Sequence, residues 1–143
     1  MPEINTGTKQ GAEFTGRTKN VTSYRTWQFS GGWPPRDGWP ASNVHTDDRF
    51  AIQSGLPARA ASGAMLQGYI AELLIDLFGE VWMSDGSFDM KFIAIVPIDA
   101  RVTTIATVVS KEREGERMRF NMDVRCEIGD GTPVAVGTAT GTI

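Results

Sequence analysis

Between Ala64 and Phe78 the chain is apolar on almost every side. Ala64, Met65, Leu66, Tyr69, Ile70, Leu73, Leu74, Ile75, Leu77 and Phe78 surround the helical circumference, interrupted in the body only by Gln67, Glu72 and Asp76. This pattern predicts a helix from Ser62 to Phe78, with Ser62 as N-cap and Gly79 as the stop. A helix that is apolar nearly all round is buried on most sides, so other elements must wrap it. Further on, the period changes to two. Met118, Phe120, Met122, Val124, Cys126 and Ile128 alternate without a break against Arg117, Arg119, Asn121, Asp123, Arg125 and Glu127. That is the signature of a strand with one buried face.

Weaker signals fill in the remainder. Phe88, Met90 and Phe92 alternate with Asp89 and Lys91, and Ile93 to Val96 read as an apolar continuation of that strand. Arg101 to Ser110 is rich in Val, Ile and Thr, Lys111 to Glu116 reads as a charged hairpin tip, and Gly129-Asp130-Gly131 turns the chain into a last strand, Pro133 to Ile143. Ahead of the long helix, Gly11 to Asn20 offers an edge strand. Val21-Thr22-Ser23 caps a short helix carrying Tyr24, Trp27 and Phe29, and Asp47 to Gln53 forms another, ended by Ser54-Gly55. One long buried helix followed by a meander of four antiparallel strands is an α+β arrangement, a sheet curled round a central helix. Its edges and second face make a two-fold homodimer the expected assembly, with further pairing into larger homo-oligomers left open.

Composition narrows the function. At 143 residues the chain reads as one domain, residues 1–143. Its 41% apolar and 22% charged content is globular. A net charge of −3 with scattered basic residues gives no nucleic-acid footprint. No apolar stretch is long enough to span a bilayer, and Met1 to Gly11 carries no hydrophobic signal, so neither membrane nor secretion is expected and the cytoplasm is. A lone cysteine, Cys126, in an alternating strand reads as a buried thiol, and with a single histidine the chain lacks a zinc set; neither metal nor cofactor is expected.

The candidate chemistry gathers in two runs. His45, the only histidine, follows Asn43 and precedes Asp47 and Asp48, and histidine is the residue type that gains and loses a proton near neutral pH. Shortly after, Ser62-Gly63-Ala64 opens the long helix, where orphan backbone N–H groups can face an incoming oxygen. Between Gly31 and Pro40, a loop of glycines and prolines carries Trp33 and Trp39, which either pack beneath the loop or wall a substrate pocket.

The order of these parts resembles the MaoC-like acyl dehydratases, hotdog-fold relatives of the (R)-specific enoyl-CoA hydratases. The resemblance covers the chain from about Gly11 onward and is carried by Asn43-Val44-His45-Thr46-Asp47, by Gly55 through Met65 and by Phe88 through Asp99. It implies a hydratase or dehydratase acting on a small-molecule acyl thioester, carried by coenzyme A or an acyl carrier. His45 would be the acid/base and the Gly63 N–H would polarise the thioester carbonyl. Asn43 and Asp47 would support the loop or orient the imidazole, and Ser62, Ala64, Trp33 and Trp39 would line the substrate. The family's Asp-x-Asn-Pro-x-His departs here: five residues before His45 stands Pro40, and Ser42-Asn43 replaces Asn-Pro. A gap in the longer loop would bring Asp37 into the missing role, although Pro35-Arg36-Asp37-Gly38 also reads as a turn. That departure leaves open another lyase, isomerase or cyclase reaction on the same fold, or a non-catalytic subunit of a heteromeric hydratase.

Overall fold

The computed structural model describes residues 3–34 and 36–143. In chain order the elements are β1 (Glu13–Thr15), β2 (Lys19–Asn20), α1 (Ser23–Ser30), α2 (Asp48–Gln53), α3 (Gly63–Phe78), α4 (Trp82–Asp85), β3 (Ser87–Phe92), β4 (Arg101–Glu114), β5 (Arg117–Ile128) and β6 (Thr132–Thr142). The six strands form one antiparallel sheet in the order β1-β4-β5-β6-β3, with β2 also pairing β4.

Helix α3 behaves as its pattern dictates. Met65, Leu66, Ile70, Leu73, Leu74, Leu77 and Phe78 are buried, and Gly79 stops the helix by donating its N–H to the Ile75 carbonyl. The alternating face of β5 meets them: Phe120, Met122, Val124 and Cys126 are all buried in the same core as Val102, Ala106, Val108 and Val134. The Phe78 and Phe120 rings lie 6.1 Å apart across this layer. Burial at this density contributes on the order of 1.5–3 kcal/mol per large apolar side chain. It fixes α3 against the sheet, and with it the position of the helix start.

Three details differ from the sequence reading. The strand over Phe88 ends at Phe92 and does not continue through Ile93–Val96. The N–H groups of Ile93 and Ala94 both reach the Val134 carbonyl, the chain turns away from the sheet, and Ile93 and Ile95 are exposed. Second, the strands are not a simple four-strand meander: β4-β5-β6 is one, but β3 closes beside β6 rather than β4. Third, the hairpin between β4 and β5 is far tighter than a tip over Lys111–Glu116. Lys111 to Glu114 are still paired, and only Gly115-Glu116 turn, with Gly115 at φ +63°. The short helix α4 had no clear signal in the pattern; its Trp82 stacks on Phe88 and donates its indole N–H to the Thr140 carbonyl at 2.9 Å.

Candidate active site

The loop before α2 is held by its own side chains. Asn43 anchors it: its side-chain NH2 donates to the Ser30 carbonyl at the end of α1 (2.7 Å), and its Oδ1 accepts the His45 N–H at 2.9 Å, an Asx turn. Thr46 is buried, accepts the Asn43 N–H at 3.0 Å and donates to the Ala41 carbonyl at 2.6 Å. Asp47 caps α2, accepting from the Arg49 and Phe50 N–H groups, while its second oxygen accepts from the Ser42 hydroxyl at 2.6 Å. These bonds, the Ser42 hydroxyl first, hold the Asp47 carboxyl below its ordinary value of 3.8.

His45 is half-buried at the centre of this loop. Its Nδ1 lies 2.8 Å from the Ala60 carbonyl. A carbonyl only accepts, so Nδ1 carries the hydrogen and, in the neutral ring, the lone pair is on Nε2. Beside it the Ala60 N–H returns to the Val44 carbonyl at 3.2 Å, so two bonds clamp the histidine loop to the segment leading into α3. Ala60 is three residues before Gly63, a span of at most about 11 Å of chain. The structure therefore brings the histidine loop and the helix start together.

At that start, the Ser62 hydroxyl accepts the Ala64 N–H at 3.2 Å, and the Met65 N–H donates to the Ser62 carbonyl at 3.0 Å. The Gly63 N–H has no acceptor among the described residues, which leaves it as the orphan donor of the first turn. The Phe92 ring covers Gly63 so closely that a methyl group there would stand 2.7 Å from it.

Asp37 occupies the corner of an exposed turn closed by the Trp39 N–H on the Arg36 carbonyl at 2.9 Å, with Gly38 at φ +79°, and its side chain has no hydrogen bond or ion pair among the described residues. Pro35, which would open that turn, lies outside the described residues. Trp39 packs edge-on against Tyr24 and Trp27, each 6.3 Å away, and donates to the Gly32 carbonyl; Trp33 is 78% exposed. Asn43, Asp47 and Ser62 have side chains committed to the loop and the helix caps, and the N–H of the exposed Ala64 is committed to Ser62.

Three contributors went unrecognised in the sequence. The Ala60 carbonyl orients the imidazole, Phe92 lies on the helix start, and Arg59 clasps α1 and α2 by donating to the Ser23 hydroxyl at 2.8 Å and pairing with Asp48 at 3.5 Å. A backbone carbonyl has no sequence signal, since every residue carries one. Glu72, farther along α3, is paired with Lys19 at 2.6 Å. No group of metal-binding side chains occurs among the described residues, and no helix there is long and apolar enough to cross a membrane.

The family described as MaoC like domain matches residues 42–128, more than half of the chain and including both the histidine loop and α3. This chain belongs to the MaoC-like family. Membership supports a hydratase or dehydratase activity. No curated protein sequence matches it. Among solved structures, the MaoC-like chain is similar to an (R)-hydratase from A. caviae involved in PHA biosynthesis, at 14% identity and a TM-score of 0.72 over 96% of this chain and 98% of that one. It is similar to a MaoC-like dehydratase from Rhodospirillum rubrum, at 17% identity and a TM-score of 0.75 over 95% and 92%. A (3R)-hydroxyacyl-ACP dehydratase complex from Mycobacterium tuberculosis matches at 12% identity and a TM-score of 0.65 over 94% and 96%. At these identities the likeness is one of fold, the hotdog.

Proposed function

We propose that this MaoC-like chain, working as a single domain, is a hydro-lyase for an acyl thioester carried by coenzyme A or an acyl carrier. The observation that carries the reading is the tether of His45 Nδ1 to the Ala60 carbonyl, which leaves the Nε2 lone pair available on a loop fastened three residues before the Gly63 N–H, itself without an acceptor among the described residues. In hydration, Nε2 takes a proton from water as the water oxygen bonds to C3 of a trans-2-enoyl thioester. The C2–C3 π pair moves toward the carbonyl, and the negative charge on the thioester oxygen is met by the Gly63 N–H. The imidazolium then gives its proton to C2. Dehydration is the reverse.

The experiment is loss of enoyl-thioester absorbance across a panel of trans-2-enoyl-CoA substrates. Wild type should turn over and His45→Ala should be slower by about 10²–10⁴-fold, the usual contribution of an acid/base group. A wild type inactive on every chain length would reject simple enoyl hydration.

One observation favours a second reading. Pro40 stands in the family's aspartate position, Asp37 is on an exposed turn, Asp47 is committed to its cap and Asp48 to Arg59. With a single base, the same site also suits a lyase, isomerase or cyclase step, or a subunit of a heteromeric hydratase. Co-purification with a second hotdog chain would favour the last. For a chain acting alone we propose a homodimer, because β3 is an edge strand and Phe92, Ile93 and Ile95 beside it are exposed.

A further inference from the structure

A groove of about 470 Å³ lies between α1 and the first two turns of α3. That volume is within the range of small-molecule sites. It is linked to the histidine loop through α1: Phe29 lines it, the next residue, Ser30, accepts from Asn43, and Asn43 accepts from His45. Along α3 it runs from Met65 to Tyr69, about 3 to 9 Å of helix rise beyond Gly63. It therefore lies where the far end of an acyl group would extend from a thioester held at the helix start.

Its lining is of two chemical kinds. Phe29 and Met65 are apolar, and Gly68 has open space where a side chain would otherwise project. The polar lining includes two cations, of which Lys19 is already neutralised by Glu72. Arg25 is not: its Nη1 donates to the Asn20 carbonyl at 2.9 Å, and no carboxylate pairs with it among the described residues. The Arg25 guanidinium also lies beside the Tyr69 hydroxyl. Burial, the largest influence there, raises the Tyr69 phenol above its ordinary value of 10.0, so it keeps its proton and can donate it.

We propose that this groove selects an acyl group ending in a carboxylate, which Arg25 binds through its guanidinium fork with the Tyr69 hydroxyl as second donor. This rests on the acyl-thioester reading and names the substrate class within it: the thioester of a dicarboxylic acid, its body against Phe29 and Met65.

The test uses adipoyl-CoA and hexanoyl-CoA, two saturated thioesters that cannot react and differ only in the terminal carboxylate, titrated calorimetrically into the full-length protein. Their shared carrier cancels any contact with the coenzyme A phosphates. Wild type should bind adipoyl-CoA about 10- to 100-fold more tightly. Arg25→Gln should erase that difference, Tyr69→Phe should reduce it, and Arg25→Lys should restore part of it, all with an unchanged melting temperature. Equal affinities in wild type, a difference that survives Arg25→Gln, or equal weakening of both thioesters by Arg25→Gln would each overturn the proposal. If neither thioester binds, the acyl-thioester reading fails, and adipate alone then decides the groove. Adipate binding that is lost in Arg25→Gln upholds an anion site, and no binding of adipate overturns it.

Discussion

His45 is held by a neutral carbonyl where a carboxylate is the familiar partner of a working imidazole. The carbonyl fixes the tautomer and the ring orientation but adds no charge to stabilise the imidazolium. In the proposed reaction one nitrogen both takes the proton from water and returns it, so hydroxyl and hydrogen should arrive on the same face of the double bond. Hydration in deuterium oxide followed by NMR assignment of the C2 and C3 configurations checks this, and addition to opposite faces would require a second acid. Cys126 is a contrasting case. Burial pushes its thiol up from 9.0 to about 12, so it remains protonated and unreactive in the native protein. Native protein should resist alkylation at pH 8, whereas the unfolded chain should be labelled within minutes. The folded thiol also holds its proton more tightly than the unfolded one, so its contribution to stability declines as pH climbs above 9.0.

Among the elements, close approaches to glycine set the sharpest limits. Gly137 in β6 lies so close to β3 that a side chain there would run into the Asp89 backbone, which cannot swing aside as a side-chain tip can. Gly137→Ala should cost on the order of 1–3 kcal/mol or more, read from a urea melt, and should loosen β3 first in hydrogen exchange. Gly63 differs in kind, because its neighbour is the half-exposed Phe92 ring. Gly63→Ala should lower turnover by displacing that ring and the helix start together, and adding Phe92→Ala should restore the melting temperature. The extent to which such elements were legible in the sequence follows from their periods. Helix α3 and strand β5 were, because a full apolar circumference and twelve alternating residues admit one interpretation each. The run Ile93–Val96 was not, since a short apolar stretch reads alike whether it extends a strand or leaves the sheet. Residue types revealed the histidine loop and the helix cap, but the clamp joining them is made by backbone atoms of Val44 and Ala60 together with the imidazole, and the backbone half of it is invisible to composition.

At the scale of the molecule, the sheet leaves β3 without a partner on its outer side among the described residues, next to exposed Ile93 and Ile95. If two copies pair there, a charge in the patch should split them. Ile93→Lys is expected to halve the mass seen by light scattering at micromolar concentration while leaving the circular dichroism of the fold intact; an unchanged dimer would move the contact to another face. The anchor of the histidine loop on α1 has a consequence of another sort. Asn43 grips that helix by the carbonyl of Ser30, a group supplied by every residue type, and no side chain of α1 takes part in that grip. The side chains that α1 turns toward the groove are therefore free to diversify while the imidazole stays in register. If the groove holds the acyl group as proposed, a lineage built on this scaffold can exchange one acyl preference for another by drift on a single short helix, without disturbing the histidine loop.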